Sequence, residues 1–212
     1  MFNNTLLELM LHIKSLTDTA YLVGGCVRDI IIGNKQPNDF DIVTDCDLDA
    51  LKLILSDNGW SIKEAGMNFL VLIAAKNKEM FEVAIFRKDG TYTDGRRPDS
   101  VEIGDINTDQ DRRDITINAL YLDPFTWDIK DPSGKGLQDI KDKIIRMNGN
   151  PNKRIEEDKL RIMRVYRFSN QLGFEIEKKT AKACRVHFND MIKQVSGERI
   201  KNEVEKMCIF QK

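Results

Sequence analysis

Cysteine, histidine and long apolar runs are scarce in this 212-residue chain, which contains 4 Cys and 2 His. No apolar run approaches the ~20 residues that cross a bilayer. No basic segment followed by an apolar run opens the chain, so we expect no secretion signal. The cysteines lack the close pairs of a zinc site or a dense disulfide framework. These absences predict a chain without a membrane span, located in the reducing cytoplasm.

The scarcity of histidine also limits the catalytic mechanisms that the sequence supports. His12 and His187 fall in segments with helical periodicity, so we expect structural or surface roles rather than histidine-based acid–base catalysis. The formal net charge of −1 hides an asymmetry between the two parts of the chain. Residues 151–212 carry 15 Lys and Arg against 9 Asp and Glu, whereas the remainder carries 18 against 25. This asymmetry is typical of a metal site beside a polyanion-binding surface, and equally of two differently solvated surfaces.

The most informative stretch is a strand–turn–helix–strand pattern over residues 21–43. An apolar run over 21–23 predicts a short buried strand, two glycines follow, and residues 27–32 predict a short helix that ends at a glycine. A turn at Pro37 and Asn38 then leads into a second apolar segment with two carboxylates. The stretch therefore predicts two strands joined by a short helix.

The two carboxylates, Asp39 and Asp41, would share one face of a strand because residues i and i+2 point the same way. Adjacent carboxylates repel each other unless they share a proton or a cation neutralises them. Backbone N–H groups at Gly24 and Gly25, with Arg28 nearby, suit an anion. We therefore predict a divalent ion at the carboxylates and a triphosphate at the glycine turn. The simpler interpretation is a tight turn followed by a solvated strand end.

Periodicity and turn residues elsewhere predict a mixed α/β part, 1–148, followed by an all-helical part, 149–212. Residues 88–108 are polar, contain three glycines and predict a long loop. Helices are predicted over 3–16, about 48–58, 109–119, 139–143, 153–171, 178–188 and 197–209. Strands are predicted over 69–75 and 80–86 as a hairpin, over 120–122, and over 144–147 as the last strand.

Glu82 is a third acidic candidate because it lies in the middle of an apolar strand. A buried carboxylate costs several kcal/mol unless it is paired or bound to a metal. A strand paired beside the one that carries Asp41 would bring Glu82 to the same ion. The alternatives are an ion pair with Arg87 or a lysine, or a solvent-facing edge position.

Two arginines, Arg112 and Arg113, fall in the first turn of the helix predicted over 109–119. Cations there oppose the helix macrodipole, so phosphate binding by the guanidinium groups explains them better than helix stability does. A surface ion pair with Asp111 or Asp114 is the alternative.

A stripe of charged residues with a spacing of three marks the helix predicted over 153–171. This spacing would place four residues along one helix face: Asp158, Arg161, Arg164 and Arg167. Because the three arginines repel one another, we expect an anion to bind over them. Asp158 and Arg161 together could accept from and donate to the Watson–Crick edge of cytosine or adenine, which rejects uracil and guanine. The alternative is an i, i+3 salt bridge worth a few tenths of a kcal/mol.

Four motifs in one order resemble class II tRNA nucleotidyltransferases, the CCA-adding enzymes, and the related bacterial poly(A) polymerases. They are Gly-Gly-x-Val-Arg-Asp with Asp-x-Asp, Phe-Glu-Val around Glu82, Arg-Arg-Asp-x-Thr-Ile-Asn-Ala from Arg112, and Glu-Asp-x-x-Arg-x-x-Arg from Glu157. The resemblance spans about residues 20–170. It implies an α/β (α+β) fold, with a mixed sheet in a polymerase-β-like nucleotidyltransferase head, followed by an all-α neck.

The resemblance also implies a role for each matching residue. Asp39 and Asp41 would bind two catalytic Mg²⁺ ions, with Glu82 as the third acidic residue. The bound nucleotide would be contacted by Gly24, Gly25, Arg28, Arg113, Asp158, Arg161, Arg164 and Arg167, of which Asp158 and Arg161 would select the base.

By this resemblance the chain adds CMP and AMP from CTP and ATP to the 3′ end of tRNA or another RNA. In this family the loop that corresponds to 88–108 is associated with the final A addition. Its presence here therefore weighs against an enzyme that adds only C. Open alternatives are A-only or poly(A) addition by the same site, a catalytically silent RNA-binding fragment, and a metal-dependent nuclease. Family members usually continue into helical body and tail domains. We therefore expect one of two situations: the chain is a fragment or a natural minimal form, or a homo-oligomer or a partner supplies that tRNA-binding surface.

Overall fold

The computed structural model of the protein describes residues 2–33, 37, 39–64 and 70–208. Three predicted features lie outside the described residues: the turn residue Asn38, the hairpin residue Phe69 and the helix end at Ile209. The helices are α1 (Asn4–Lys14), α2 (Gly25–Ile32), α3 (Leu48–Asp57), α4 (Ile106–Arg112), α5 (Gly136–Lys141), α6 (Pro151–Glu157), α7 (Arg161–Leu172), α8 (Lys178–Gln194) and α9 (Gly197–Cys208). The strands are β1 (Ala20–Val23), β2 (Asp41–Thr44), β3 (Ser61–Glu64), β4 (Val71–Lys76), β5 (Glu79–Ile85), β6 (Arg87–Asp89), β7 (Val101–Ile103), β8 (Tyr121–Leu122), β9 (Ile129–Lys130), β10 (Ile144–Ile145) and β11 (Glu175–Ile176).

The chain forms two compact units. The sheet unit comprises Met1–Lys88, Val101–Gln110 and Leu120–Pro132, and the helical unit comprises Asp89–Ser100, Asp111–Ala119 and Ser133–Lys212. These units do not coincide with the division into 1–148 and 149–212. Within the helical unit β10 pairs in parallel with β11, so residues before the expected boundary are tied to residues after it. A domain boundary at residue 148 stays a prediction.

The sheet unit is built on a seven-stranded mixed sheet in the order β3-β4-β5-β2-β1-β8-β9. β2 and β5 pair in parallel, and the β1–β2 and β4–β5 pairs are antiparallel. The β4–β5 pair confirms the predicted hairpin. Apolar side chains that cluster around Tyr121 form part of the core: Val23, Val43 and Phe86, packed against Tyr21 and Ile106.

Capping explains why α3 lies where the sequence predicts it. The Asp47 carboxylate accepts from the backbone N–H groups of Asp49 and Ala50, which are otherwise without partners in the first turn. The helix ends at its cap residue Asn58, and Gly59 follows with a φ of 76°, a left-handed conformation that glycine adopts without steric cost.

The segment predicted as a loop over 88–108 and a helix over 109–119 folds differently. β6 and β7 form a two-stranded sheet within it. The helix α4 begins earlier than predicted because Asp105 and Thr108 cap its first turn reciprocally, each side chain accepting from the other residue's backbone N–H. It also ends earlier, and Ile115 is extended with a φ of −129° and bridges to Met147. A short 3₁₀ helix, Thr116–Asn118, follows.

The helical unit interrupts the helix predicted over 153–171. α6 ends at Glu157, Asp158 is extended (φ −149°), and α7 starts at Arg161. The Asp158 carboxylate accepts from the backbone N–H of Leu160 at 3.0 Å, a local bond that competes with the helix. The later helices are confirmed as α8 and α9, although α8 continues to Gln194, past the predicted end at residue 188. Because β11 lies between α7 and α8, β10 is not the last strand. None of the helices within the described ranges is long and apolar enough to cross a membrane.

Candidate nucleotidyl-transfer site

The glycine turn joins the end of β1 to the start of α2. Gly24 has φ 83° and ψ −136°, a region that residues with a Cβ rarely enter. Because Gly24 takes this conformation, α2 begins at Gly25, earlier than the residue Val27 expected from the sequence. The first N–H groups of α2 therefore directly follow the strand end, which is the arrangement that suits an anion.

Arg28 lies on the first turn of α2 and is buried, 8% exposed. Its Nε and Nη2 atoms both donate to Asp29 Oδ1 at 2.7 Å. The guanidinium also lies beside Gly25, because a Cβ there would be 3.6 Å from Arg28 Nη2. The structure thus brings Gly24, Gly25 and Arg28 together at one turn, with Asp29 already balancing part of the arginine charge. Their contact with a nucleotide stays a prediction.

Two of the three acidic candidates are register partners. Asp41 of β2 lies opposite Glu82 of β5 in the parallel pair, as the sequence predicted for a strand beside the Asp41 strand. Asp39 precedes β2, since Asp41 is the first residue of that strand. All three side chains are exposed, so Glu82 is not the buried mid-strand carboxylate expected.

The carboxylates alone do not make a complete metal site. Within the described ranges, no group of three His, Cys, Asp or Glu side chains is placed to hold a metal ion unaided. Asp41 and Glu82 nevertheless supply hard oxygen donors on adjacent strands, and Mg²⁺ usually completes its octahedron with waters and substrate phosphates. The donor set therefore fits Mg²⁺ held jointly with a phosphate, and not a preformed protein cage.

Cys26 links the glycine turn to the carboxylate strand. Its thiol donates to the Val23 carbonyl at 3.2 Å, and the backbone N–H of Asp41 donates to the sulfur. Val23 and Asp41 are themselves register partners at the end of the β1–β2 pair. Burial, and then the nearby Asp41 charge, raises the pKa of the thiol to about 12, so the group stays a neutral hydrogen-bonding clamp.

The base-selecting candidates lie in the helical unit, but each has a partner other than the one predicted. Arg161 donates through Nη1 to Glu157 Oε2 at 2.7 Å and to the Arg154 carbonyl at 2.9 Å. Asp158 accepts from Arg199 Nη2, at 2.9 Å for Oδ2 and 3.2 Å for Oδ1. Because the helix is interrupted between α6 and α7, Asp158 and Arg161 do not lie along one face of a continuous helix as predicted. Whether Asp158 and Arg161 read a base stays a prediction.

The other two arginines of the expected stripe are ion-paired. Arg164 donates to Asp114 Oδ2 at 2.7 Å, and Arg167 Nε donates to Glu203 Oε2 at 2.5 Å inside the unit. Burial alone would raise the pKa of Asp114, but Arg164 and the Ile115 N–H outweigh it and lower the pKa to about 2. Two carboxylates of the chain, Asp114 and Glu203, thus balance the charges of Arg164 and Arg167, and no bound anion is needed to explain them.

The structure corrects the argument for Arg112 and Arg113. Arg112 lies in the last turn of α4, not in the first turn of a helix, where a cation is favourable to the macrodipole. Its charge therefore needs no phosphate to explain it. The backbone carbonyls of both residues accept from Arg154 Nη2, at 3.0 Å for Arg113. A nucleotide contact of the Arg113 side chain stays a prediction.

Sequence reasoning missed four residues that hold the candidates in place: Cys26, Arg154, Glu157 and Arg199. The spacing of Arg154, Glu157 and Arg161 contained a usable signal, because i, i+3 and i, i+4 pairs of opposite charge meet on a helix. Arg154 and Arg161 share the Glu157 carboxylate, and burial and then Arg161 lower the pKa of Arg154 to about 10. No local pattern connects Arg199 to Asp158.

Known proteins resemble the chain over most of its length. It matches the Poly A polymerase head domain over residues 20–146 and the "Probable RNA and SrmB- binding site of polymerase A" over 173–208. The CCA-adding enzyme of Enterococcus faecalis is 39% identical over 191 residues, which is 90% of this chain and 45% of that protein. That of Bacillus pumilus is 39% identical over 189 residues, 89% and 45%. The chain spans about half the length of the curated relatives it matches.

Solved structures agree with this resemblance. The Bacillus stearothermophilus CCA-adding enzyme in complex with CTP superposes with a TM-score of 0.81 at 31% identity, covering 95% of this chain and 47% of that one. A tRNA nucleotidyltransferase complexed with a primer tRNA and an incoming ATP analog gives 0.73 at 30%, covering 88% and 52%. The predicted nucleotidyltransferase head with its mixed sheet is confirmed. The chain belongs to the family of CCA-adding enzymes and poly(A) polymerases that share the Poly A polymerase head domain.

Proposed function

We propose that the chain is the catalytic part of a template-independent RNA nucleotidyltransferase that adds CMP and AMP to the 3′ end of tRNA. The observation that carries this proposal is the pairing of Asp41 with Glu82 beside the turn at Gly24 and Gly25. An oxygen-donor pair next to helix-start N–H groups is what phosphoryl transfer needs, because its catalysis is mostly positioning and charge stabilisation. The related enzymes solved with CTP and with a primer tRNA support the choice of substrates.

Mg²⁺ is the metal we propose, held by Asp39 and Asp41 with Glu82 as the third acidic residue. When bound, the ions would lower the pKa of the attacking 3′-hydroxyl and neutralise charge on the triphosphate. The N–H groups at Gly25 and the Arg28 guanidinium would orient the phosphates. No protein group is needed as a general base in this proposal.

Selection of cytosine or adenine is assigned to Asp158 and Arg161. An ionised carboxylate has about four acceptor sites, so Asp158 keeps acceptor capacity beyond its bonds from Arg199 and Leu160. Arg161 is oriented by Glu157. Arg113, Arg164 and Arg167 are kept as nucleotide contacts only by the family resemblance, because Arg164 and Arg167 are ion-paired within the unit.

Poly(A) or A-only addition is the second candidate. It is favoured by the match to the Poly A polymerase head domain and uses the same residues.

Activity on tRNA implies a cytoplasmic location. A second copy of the chain or a partner protein that contributes tRNA-binding surface completes the proposal.

The deciding experiment extends a tRNA that lacks its 3′ end with CTP alone, ATP alone and both, with Mg²⁺, and sizes the products. Addition of CMP followed by one AMP supports CCA addition, and AMP without CMP supports the second candidate. Shortening of the RNA would indicate a nuclease. No change in length, with Asp41→Asn indistinguishable from the unmodified chain, would show a catalytically silent fragment.

A further inference from the structure

A cavity of about 440 Å³ lies at the carboxyl ends of the two parallel strands β2 and β5. The paired segments end at Thr44 and Ile85, whereas Asp41 and Glu82 lie at their other end. All residues that line the cavity belong to the sheet unit. In α/β folds, ligands bind outside the carboxyl ends of parallel strands, and a volume of this size is typical of small-molecule sites. The cavity is therefore a candidate binding site separate from the carboxylate edge.

Five aliphatic side chains form the apolar part of the cavity wall. They come from the start of α3, from β4 and the residue before it, and from the ends of β5 and β7: Leu48, Leu70, Val71, Ile85 and Ile103. Ile103 is 72% exposed, so this isoleucine borders the cavity without being part of the core. Small-molecule sites are lined mainly by apolar side chains, with a few polar groups that fix the orientation of the ligand.

The polar part of the lining is predominantly acidic. It contains four carboxylates and one lysine: Asp45, Asp47, Asp49, Glu64 and Lys52. Lys52 Nζ pairs with Asp49 Oδ1 at 2.9 Å and with Glu64 Oε1. The lysine is therefore shared by two of the four carboxylates, and the other two have no cation beside them in the described lining.

Asp45 and Asp47 accept hydrogen bonds from neutral donors. Asp45 Oδ1 accepts from the Thr17 hydroxyl at 2.6 Å, and the Asp47 carboxylate accepts from two backbone N–H groups in the first turn of α3. Burial raises the pKa of the Cys46 thiol, which also lines the cavity, and the charges of Asp45 and Asp47 raise it further. A phosphate would meet this negative charge without the helix-start donors that Asp47 occupies. The cavity therefore favours a positively charged ligand.

We propose that this cavity binds a small organic cation, with its ammonium group beside Asp45 and Asp47 and its apolar body against the aliphatic wall. A bare metal ion is disfavoured because, in the described part of the chain, no three His, Cys, Asp or Glu side chains are grouped to hold one. The proposal does not depend on nucleotide transfer. Because the ligand would contact the folded ends of β2 and β5, its binding would stabilise the native state.

The test is isothermal titration calorimetry of the full chain with hexylammonium as the probe. Hexanol and hexanoate keep the six-carbon body and replace the ammonium group by a neutral and a negative group. Hexylammonium should bind at one site with a Kd of about 1 mM, as expected for so small a ligand. Hexanol should bind at least about fivefold more weakly, and hexanoate should not bind.

The charge requirement is tested at the two carboxylates without an ion pair. Asp47→Asn keeps the cap of α3, because asparagine and aspartate cap helices equally well, and Asp45→Asn keeps an acceptor for Thr17. Each should weaken hexylammonium binding about threefold, and the double variant should weaken it about tenfold. Asp57→Asn, an exposed carboxylate at the end of the same helix, is the matched control and should leave the affinity unchanged.

The apolar requirement is tested at Ile103, which can be shortened without loss of core packing. Ile103→Ala should weaken both hexylammonium and hexanol about threefold, because each loses apolar contact area. Leu53→Ala, at a position that is 65% exposed on α3 and outside the cavity lining, should leave both affinities unchanged.

The proposal is overturned if hexylammonium gives no binding heat with the folded chain. It is equally overturned if hexanoate binds as well as hexylammonium, or if the double variant binds hexylammonium as tightly as the unmodified chain does. Nucleotide addition is assayed separately, so the loss of either proposal leaves the other intact.

Discussion

Asp41 and Glu82 face each other across the only parallel strand pair recorded for the described part of the seven-stranded sheet. Side chains at paired positions of neighbouring strands lie on the same face, so two like charges are held close together. Such a pair is stabilised by a bound divalent ion.

Neutralising either member of this pair should remove metal binding and activity together. For Asp41→Asn and Glu82→Gln we expect at least about a hundredfold loss of nucleotide addition, because the metal supplies several kcal/mol of charge stabilisation. Mn²⁺ binding followed by electron paramagnetic resonance should weaken in parallel. Unfolding free energies should change by less than ~1 kcal/mol because both side chains are exposed.

Glu102→Gln is the matched control, since Glu102 is an exposed strand carboxylate on β7. It should bind Mn²⁺ as the unmodified chain does. Full Mn²⁺ affinity in Asp41→Asn would contradict the metal assignment.

Cys26 should act on the metal through the backbone of Asp41. Cys26→Val keeps the size of the side chain but loses both hydrogen bonds, so we expect Mn²⁺ affinity to fall about three- to tenfold, as for one or two lost hydrogen bonds. Cys26→Ser can keep both bonds and should stay within about twofold. Cys46→Val, at another buried cysteine of the sheet unit, is the control. Equal affinity of the valine and serine variants at Cys26 would refute the clamp.

Arg199 should influence base choice through Asp158. Arg199→Met removes the two contacts that orient the carboxylate, and hydrogen bonds to charged groups are worth ~1.5–3 kcal/mol. We expect the ratio of kcat/KM for ATP to that for GTP to fall about tenfold, on that scale. Arg185→Met, an exposed position of α8, should leave the ratio unchanged. A slower enzyme with an unchanged ratio would assign Arg199 to folding alone.

The Asp114–Arg164 ion pair should make stability depend on acidic pH. Because the native-state pKa of Asp114 is about 2, below its unfolded value, the contribution is complete above about pH 4 and is lost as the pH falls through about 2. This lowering from 3.8 to about 2 is a little under two pKa units and corresponds to roughly 2–3 kcal/mol. The difference in unfolding free energy between the unmodified chain and Asp114→Asn, measured by urea denaturation, should therefore shrink by that amount.

Glu205→Gln is the control for the ion pair. Its partner Lys201 is an exposed i, i+4 neighbour, and such pairs contribute less than ~1 kcal/mol. If the difference in unfolding free energy between the unmodified chain and Asp114→Asn does not depend on pH, Arg164 does not stabilise the ionised form of the Asp114 carboxylate.

The carboxylate edge was predictable because its signals are local. A short apolar run, a pair of glycines and the spacing of Asp39 and Asp41 each reflect backbone conformation over a few residues. The strand pairing of Glu82 with Asp41 was predicted correctly, but the burial cost used to argue for it does not apply, because Glu82 is exposed.

The arginine network was not predictable because its partners are distant in sequence. Asp158 leaves the helical conformation through its own bond to Leu160 and is then held by Arg199, and Arg167 is neutralised by Glu203. Helical spacing describes what a residue could face on a continuous helix. It contains no information about where a helix is interrupted, or about which carboxylate the tertiary fold brings to a guanidinium.

The parallel pairing of β2 with β5 also has a consequence for how the chain folds. The carboxylates at its end are separated in the sequence by α3, β3 and β4, and such non-local pairing is slow. An ion that requires both oxygens can recognise only the finished sheet. Magnesium should therefore act as a thermodynamic lock on late assembly, raising the melting temperature as its concentration increases.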